Sequence, residues 1–138
     1  MSDTLIAVLE DTPVVPLVES DNPDTAVKIS EALIEGGLTV LEVVLRTDEA
    51  LVCLEAIVKK FPDAHVGAGT VVTPAQARKV IELGATFVVS PGLDAEVVKI
   101  CQAANIPVLP GIVTATELTQ AYNPVSYTHL TLPTTPYV

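Results

Sequence analysis

The sequence predicts an α/β protein with a parallel sheet, built as the first five βα units of a (β/α)8 barrel. From Pro13 onward, short runs of Val, Ile and Leu alternate with longer segments of helical period, a pattern typical of repeated βα units. The strand candidates follow one another at intervals of about 20 to 26 residues, the size of one βα unit in a barrel. Five units cannot close an eight-stranded barrel, so we expect an incomplete one.

The strand candidates are short apolar runs bounded by turn residues. In chain order they are residues 14–18, 40–45, 65–67, 87–90 and 107–110. In an open parallel sheet the first and fifth strands would leave backbone groups unpaired at the two edges. Aggregation or pairing with another copy would be a consequence of those edges.

The helix candidates lie after each strand, at residues 24–35, 48–60, 74–83, 94–104 and 114–122. The first ends at Gly36 and Gly37, which favour the left-handed conformation of a helix C-cap. The third opens on Thr73, a preferred N-cap residue, followed by Pro74 at the first helical position. The helix signals therefore fall where repeated βα units need them.

The C-terminal residues depart from this pattern. After Glu117 the chain has no Asp, Glu, Lys or Arg, and all three tyrosines lie between residue 122 and the end. Prolines and threonines interleave there, which prevents a long helix or a core strand. We therefore expect a barrel domain over residues 1–121 and a disordered or non-native tail over residues 122–138.

Composition argues against several classes of partner. The net charge of −10 repels nucleic acid and anionic membrane surfaces, so neither is an expected partner. Cys53 and Cys101 have no spacing that indicates a disulfide framework or a metal site, and we expect no metal and no cofactor. No signal peptide and no apolar run of membrane-spanning length are visible. A cytoplasmic protein is the expectation.

The second strand candidate carries the most informative residues. Strand alternation would place Glu42 and Arg46 on one face, pointing into the barrel, with Arg46 nearer the C-terminal end of the strand, where barrel active sites are built. The guanidinium of Arg46 suits a carboxylate held by two hydrogen bonds, such as that of a 2-oxo acid. Glu42 in an apolar cavity would have a raised pKa and could move a proton near neutrality. The alternative is an interior ion pair that only holds the packing.

Small residues follow the later strands. Residues 67–70, Gly-Ala-Gly-Thr, would allow close backbone approach and supply the hydroxyl of Thr70 at the barrel mouth. Small residues at a crowded strand end are the alternative. Pro91 lies in a Ser-Pro-Gly turn, and Pro110 opens a Pro-Gly-Ile turn. For both, simple turn chemistry is the alternative to a role in binding.

Five segments in order resemble the serial motifs of the bacterial aldolases that act on 2-keto-3-deoxy-6-phosphogluconate (KDPG) or 4-hydroxy-2-oxoglutarate (KHG). The segments are residues 13–16 (PVVP), 41–47 (LEVVLRT), 66–71 (VGAGTV), 90–93 (SPGL) and 110–112 (PGI). The resemblance covers about residues 1–121. It implies a cytoplasmic, homotrimeric, metal-independent class I aldolase that forms a Schiff base between a lysine and the 2-oxo carbon. The products would be pyruvate and either glyceraldehyde 3-phosphate or glyoxylate.

The resemblance also implies roles for four residues. Glu42 matches the general acid/base of the family, Arg46 and Thr70 match residues that hold the pyruvyl carboxylate, and Pro91 matches a pocket-lining position. The Schiff-base lysine of the family lies on a sixth strand that has no counterpart here, so we expect this chain to be inactive as given. The alternatives are a non-catalytic half-barrel that assembles with another chain, and another phosphate-substrate barrel enzyme such as an isomerase.

Overall fold

The computed structural model describes residues 3–122 and 130–131, in which helices and strands alternate along the chain. The helices are α1 (Asp3–Asp11), α2 (Pro23–Glu35), α3 (Ala50–Lys60), α4 (Pro74–Glu82), α5 (Ala95–Ala103) and α6 (Ala115–Tyr122). The strands are β1 (Leu17–Val18), β2 (Val40–Val44), β3 (His65–Gly69), β4 (Val88–Ser90), β5 (Val108–Ile112) and β6 (Leu130–Thr131).

The strands form a single sheet in chain order, β1-β2-β3-β4-β5-β6, and every neighbouring pair is parallel. Each consecutive pair from β1 to β5 is joined by a helix, which is the βα repeat of a barrel that stops before closure. The predicted fold class, a partial (β/α) barrel, is confirmed.

The main hydrophobic core lies between one face of the sheet and the helices. Leu41 and Val43 of β2 and Val66 of β3 are buried there against Leu54 and Ile57 of α3. Because successive strand residues point to opposite faces, the residues between them point into the open side of the partial barrel. We call that side the inner face; Val40, Glu42 and Val44 of β2 lie on it.

Helix α1 covers part of the inner face. Leu5 of α1 is buried against Val40 and Phe87, and Val8 and Leu9 of the same helix pack on this cluster. The ring of Phe87 lies directly over Gly67, where a Cβ atom would collide with it. Apolar contacts therefore fill the amino-terminal half of the inner face, and the polar groups lie nearer the other end of the strands.

Local signals begin and end the helices largely as expected. The Asn22 side chain accepts a hydrogen bond from the Thr25 backbone at 2.9 Å, so α2 begins one residue before the predicted start. Thr73 caps α4 with a reciprocal capping box to Gln76, which gives the predicted Thr73 cap a second bond. Gly37 has φ +92°, as the predicted left-handed cap requires.

Some predicted strand limits are wrong. β1 spans two residues instead of five, since Pro16, within the predicted strand, lacks the N–H group that would extend the ladder. β3 and β5 continue two residues beyond their predicted ends, to Gly69 and Ile112. Hydrogen bonding to a neighbouring strand tolerates glycine and proline that local propensity disfavours.

The expected free edge of the fifth strand is also partly wrong. Gly111 and Ile112 of β5 pair with Leu130 and Thr131 of β6, so two residues of the predicted loose tail form a short strand. Residues 123–129 and 132–138 lie outside the described residues, and the prediction of a tail stays a prediction for them. On the other edge, β1 pairs only with β2 within the described ranges. In those same ranges, no helix has the length and apolar character to cross a membrane.

Candidate active site at the carboxyl ends of the strands

The four residues singled out in the sequence lie toward one end of the sheet. Glu42 lies in the middle of β2, Arg46 follows β2, Thr70 follows β3, and Pro91 follows β4. Parallel strands bring their carboxyl ends to the same edge of a sheet, and barrel enzymes build their active sites there. The structure therefore brings these residues to one region from three separate βα units.

Glu42 is a carboxyl group in an apolar cavity on the inner face. The cavity has a volume of about 100 Å³, and its other lining residues are Leu5, Leu9, Val15, Val40, Phe87, Val89 and Leu109. Burial raises the pKa of Glu42 above its ordinary value, and the nearby charge of Arg46 opposes part of that increase. Because desolvation disfavours the charged carboxylate, Glu42 keeps its proton to higher pH than an exposed glutamate.

Gly69 makes the space that the Glu42 carboxylate occupies. A Cβ atom at Gly69 would collide with Oε1 of Glu42 and would lie within 3 Å of two of its carbons. Gly67, two residues earlier on the same face, makes the corresponding space for the Phe87 ring. Crowding by the Glu42 and Phe87 side chains therefore accounts for both glycines of the Gly-Ala-Gly segment. This agrees with the alternative that small residues are needed at a crowded strand end.

Arg46 lies in the turn after β2 and not on the strand. Its backbone N–H donates to the Val44 carbonyl at 2.9 Å, which turns the chain away from the strand direction. The Arg46 side chain is 55% exposed, and Nη1 donates to Oε2 of Glu19 at 3.3 Å. The expectation that Arg46 shares a strand face with Glu42 is therefore wrong. Arg46 forms its ion pair with Glu19, in place of the interior ion pair with Glu42 that was the alternative hypothesis.

Glu19 is the charged residue of this region that sequence reasoning missed. It comes directly after β1, whose Val18 pairs with Val43 of β2, so the ends of the two strands lie side by side. Its position as the first residue after a strand was the available signal. An acidic residue at a strand end is common, however, and its basic partner lies 27 residues later in the chain.

Thr70 has a strained backbone at the end of β3. Its φ is +62°, in the left-handed region that a β-branched residue rarely adopts. Such strain is concentrated at functional sites, where the surrounding structure holds it in place. Within residues 3–122 and 130–131, no hydrogen bond engages the Thr70 hydroxyl, which leaves it free for a ligand.

Pro91 lies exposed in the loop after β4. The buried Ser90 hydroxyl donates to the Gly92 carbonyl at 2.8 Å, closing the turn around Pro91. A Cβ atom at Gly111 of β5 would collide with the carbonyl of Pro91. Residues 90–92 therefore form the expected turn, and the absence of a side chain at Gly111 allows the Pro91 carbonyl to pack against β5.

The lysines lie away from this region. All five lysines of the sequence are exposed residues of the outer helices: Lys28, Lys59, Lys60, Lys79 and Lys99. A Schiff-base lysine needs a dry pocket that lowers its pKa, whereas these five side chains are exposed on the outer helices. The part of the chain that the structure describes also holds no group of three His, Cys, Asp or Glu side chains suited to a metal ion.

Comparisons with known proteins agree with one another. The sequence model of the family described as KDPG and KHG aldolase matches residues 5–133. The KHG/KDPG aldolase of Escherichia coli (strain K12) is 45% identical over 112 residues, which are 81% of this chain and 53% of that protein. This chain thus spans about half the length of the curated relatives it matches.

Two solved structures show the same fold. The KDPG aldolase of Legionella pneumophila, with pyruvate captured at low pH as a covalent carbinolamine intermediate, superimposes with a TM-score of 0.79 at 40% identity. That match covers 84% of this chain and 56% of the other. The 2-keto-3-deoxy-6-phosphogluconate aldolase of Zymomonas mobilis ZM4 with 3-phosphoglycerate gives a TM-score of 0.77 at 39% identity, over 86% of this chain and 56% of the other.

Proposed function

This chain belongs to the KDPG and KHG aldolase family, and from that premise we propose that it forms the proton-transfer and carboxylate-binding part of a class I aldolase. The proposed reactions cleave 2-keto-3-deoxy-6-phosphogluconate to pyruvate and glyceraldehyde 3-phosphate, or 4-hydroxy-2-oxoglutarate to pyruvate and glyoxylate. The observation that carries the proposal is the Glu42 carboxyl group, half-buried in an apolar cavity near the Arg46 charge.

Glu42 is the proposed general acid/base. Cleavage and formation of a carbon–carbon bond next to a carbonyl need a group that takes up and returns a proton. A carboxyl group performs that task best when its pKa lies near the working pH. Burial moves the pKa of Glu42 in that direction, and the apolar lining keeps bulk water from competing for the proton.

Arg46 and Thr70 are the proposed anchors of the substrate carboxylate. Arg46 remains half-exposed at the mouth with its charge within electrostatic reach of Glu42, so an anion bound there would lie next to the proton carrier. The Thr70 hydroxyl, which no hydrogen bond engages within the described part of the chain, is proposed to supply a second hydrogen-bond donor at the end of the neighbouring strand. Pro91 is proposed to line the pocket above them.

The Schiff-base amine is not among the lysines of these 138 residues, because all five are exposed on the outer helices. We therefore propose that this chain alone does not catalyse the cleavage. Homotrimeric assembly and a cytoplasmic location are further proposals. The family resemblance supports the trimer, and the acidic, cysteine-poor composition supports a reducing compartment.

Reduction with borohydride in the presence of labelled pyruvate tests the proposal. The coding sequence at the source locus would be read past the codon for Tyr122, and the protein it encodes would be compared with the 138-residue chain. We expect a covalent pyruvyl adduct on the longer protein and none on the shorter one, since borohydride traps only a Schiff base. If the longer protein binds pyruvate but forms no adduct, the class I mechanism is wrong and an isomerase-like barrel enzyme becomes the better hypothesis.

A further inference from the structure

We propose that Glu19 is an internal counter-anion that occupies Arg46 while the site is empty, and so limits how tightly the site binds a 2-oxo acid carboxylate. The inference rests on the proposed role of Arg46 as the carboxylate anchor. It assigns Glu19 as a residue that sets affinity without itself reacting.

The ion pair lies where a ligand carboxylate would have to bind. Nη1 of Arg46 and Oε2 of Glu19 are 3.3 Å apart, with 55% and 50% of the two side chains exposed. Both residues follow neighbouring strands at the carboxyl end of the sheet. An incoming anion at this end therefore meets a guanidinium that already has an acidic partner.

The backbone next to Glu19 is tied to the βα unit that carries Arg46. The Ser20 carbonyl accepts a hydrogen bond from the Thr47 hydroxyl at 3.0 Å and another from the Cys53 thiol at 3.4 Å. These bonds hold the residue after Glu19 against the residue after Arg46. The two charges are consequently kept close by the fold and do not depend on a chance contact of two long side chains.

The balance of charges explains how the Glu19–Arg46 ion pair weakens the binding of a 2-oxo acid. Two carboxyl groups, Glu19 and Glu42, share the single cation Arg46, which bonds Glu19 and acts on Glu42 only through its charge. A bound 2-oxo acid adds another negative charge to the same group. Glu19 competes for the guanidinium and repels the ligand, and both effects weaken ligand binding.

The experiment measures pyruvate affinity in the 138-residue chain and in each variant, following the backbone amide resonances of Thr47 and Thr70 by NMR at low ionic strength. Glu19→Gln keeps the size of the side chain and removes its charge, so we expect pyruvate to bind about two- to fivefold more tightly. That change corresponds to the roughly 0.4 to 1 kcal/mol typical of an exposed ion pair. Glu31→Gln is the matched control, because Glu31 is an exposed carboxylate on α2 and its loss changes the net charge equally.

A gain in affinity is informative because damage to the fold does not tighten binding. The gain should be absent in Glu31→Gln and should shrink as added salt screens the exposed charges. In an Arg46→Ala background, Glu19→Gln should lose most of its effect, since the competition has no cation to act on.

The outcomes separate this inference from the proposed function. If pyruvate binds the parent chain and Arg46→Ala weakens that binding, but Glu19→Gln leaves the affinity unchanged or weaker, the role of Glu19 is wrong and the carboxylate anchor stands. If Arg46→Ala has no effect on pyruvate binding, or if neither the parent chain nor Glu19→Gln binds pyruvate, the anchor and the counter-anion both fail.

Discussion

Substituting Gly69 with alanine tests whether the packing of β3 controls the chemistry of Glu42. In the wild-type fold the Glu42 carboxylate lies against the bare backbone of Gly69, in the space that a Cβ atom would occupy. Gly69→Ala must therefore move the carboxylate. The deeper part of the cavity is apolar, so the carboxylate should move toward solvent at the mouth.

The expected cost in stability follows from two opposing effects. Overpacking a filled site costs about 1 to 3 kcal/mol. The lower end applies here, because the colliding atoms belong to a flexible side chain and not to backbone. Replacing a strand glycine with alanine returns about 0.5 to 1 kcal/mol of backbone entropy. The free energy of unfolding should therefore fall by about 0 to 1.5 kcal/mol.

The decisive readout is the pKa of Glu42. Desolvation is the larger of the two influences on that pKa, and the charge of Arg46 is the smaller. A carboxylate displaced toward water loses the desolvation, so the pKa of Glu42 should fall toward its ordinary value. Titration of the side-chain carboxyl carbon by NMR measures this directly, alongside urea unfolding.

Gly92→Ala is the matched control for this substitution. Apart from its two chain neighbours, no atom of the described residues lies within 4 Å of a Cβ atom at Gly92, and the residue belongs to a loop near the same end of the sheet. Gly92→Ala should therefore leave the pKa of Glu42 unchanged. If Gly69→Ala leaves the pKa of Glu42 at the wild-type value, the carboxylate does not occupy the space above Gly69 and the reasoning is refuted.

Three further substitutions test neighbouring parts of the site. Glu42→Gln should make the free energy of unfolding less dependent on pH. Because the folded-state pKa of Glu42 is raised, the wild type loses stability as pH rises through that pKa. Urea unfolding at pH 4 and pH 8 should show this loss only in the wild type. Gly111→Ala should cost about 2 kcal/mol or more, since the colliding atom is the Pro91 carbonyl of the backbone, and a loss as small as that of Gly92→Ala would contradict this contact. Arg46→Ala in the longer protein should raise the Michaelis constant for the 2-oxo acid more than it lowers turnover, and an unchanged Michaelis constant would count against the carboxylate anchor.

Several features of the fold followed from local sequence. Alternating apolar runs and helical periods predicted five βα units, because burial between a sheet and a layer of helices requires that pattern. Capping residues such as Thr73 and Gly37 marked helix ends through bonds to backbone only a few residues away. Such signals act over one or two helical turns, so they can be recognised in the sequence without the tertiary structure.

The prediction for Arg46 shows where local reasoning stopped. Strand alternation does not extend to Arg46, because β2 ends two residues earlier at Val44 and the backbone turns before Arg46. The side chain then pairs across to Glu19 of the preceding βα unit. No periodicity within either segment encodes that partnership, which depends on which strands lie side by side.

Local sequence was enough to predict the alternation of strands and helices, the family, and the place of Glu42 on a buried strand. Three features emerged from the structure alone: Gly69 makes room for the Glu42 carboxylate, α1 covers the inner face beside Phe87, and Arg46 bonds Glu19. The physical reason is that secondary structure follows from short-range periodicity and backbone preference. Burial, pKa and ion pairing instead depend on distances between residues that the fold brings together from distant parts of the chain.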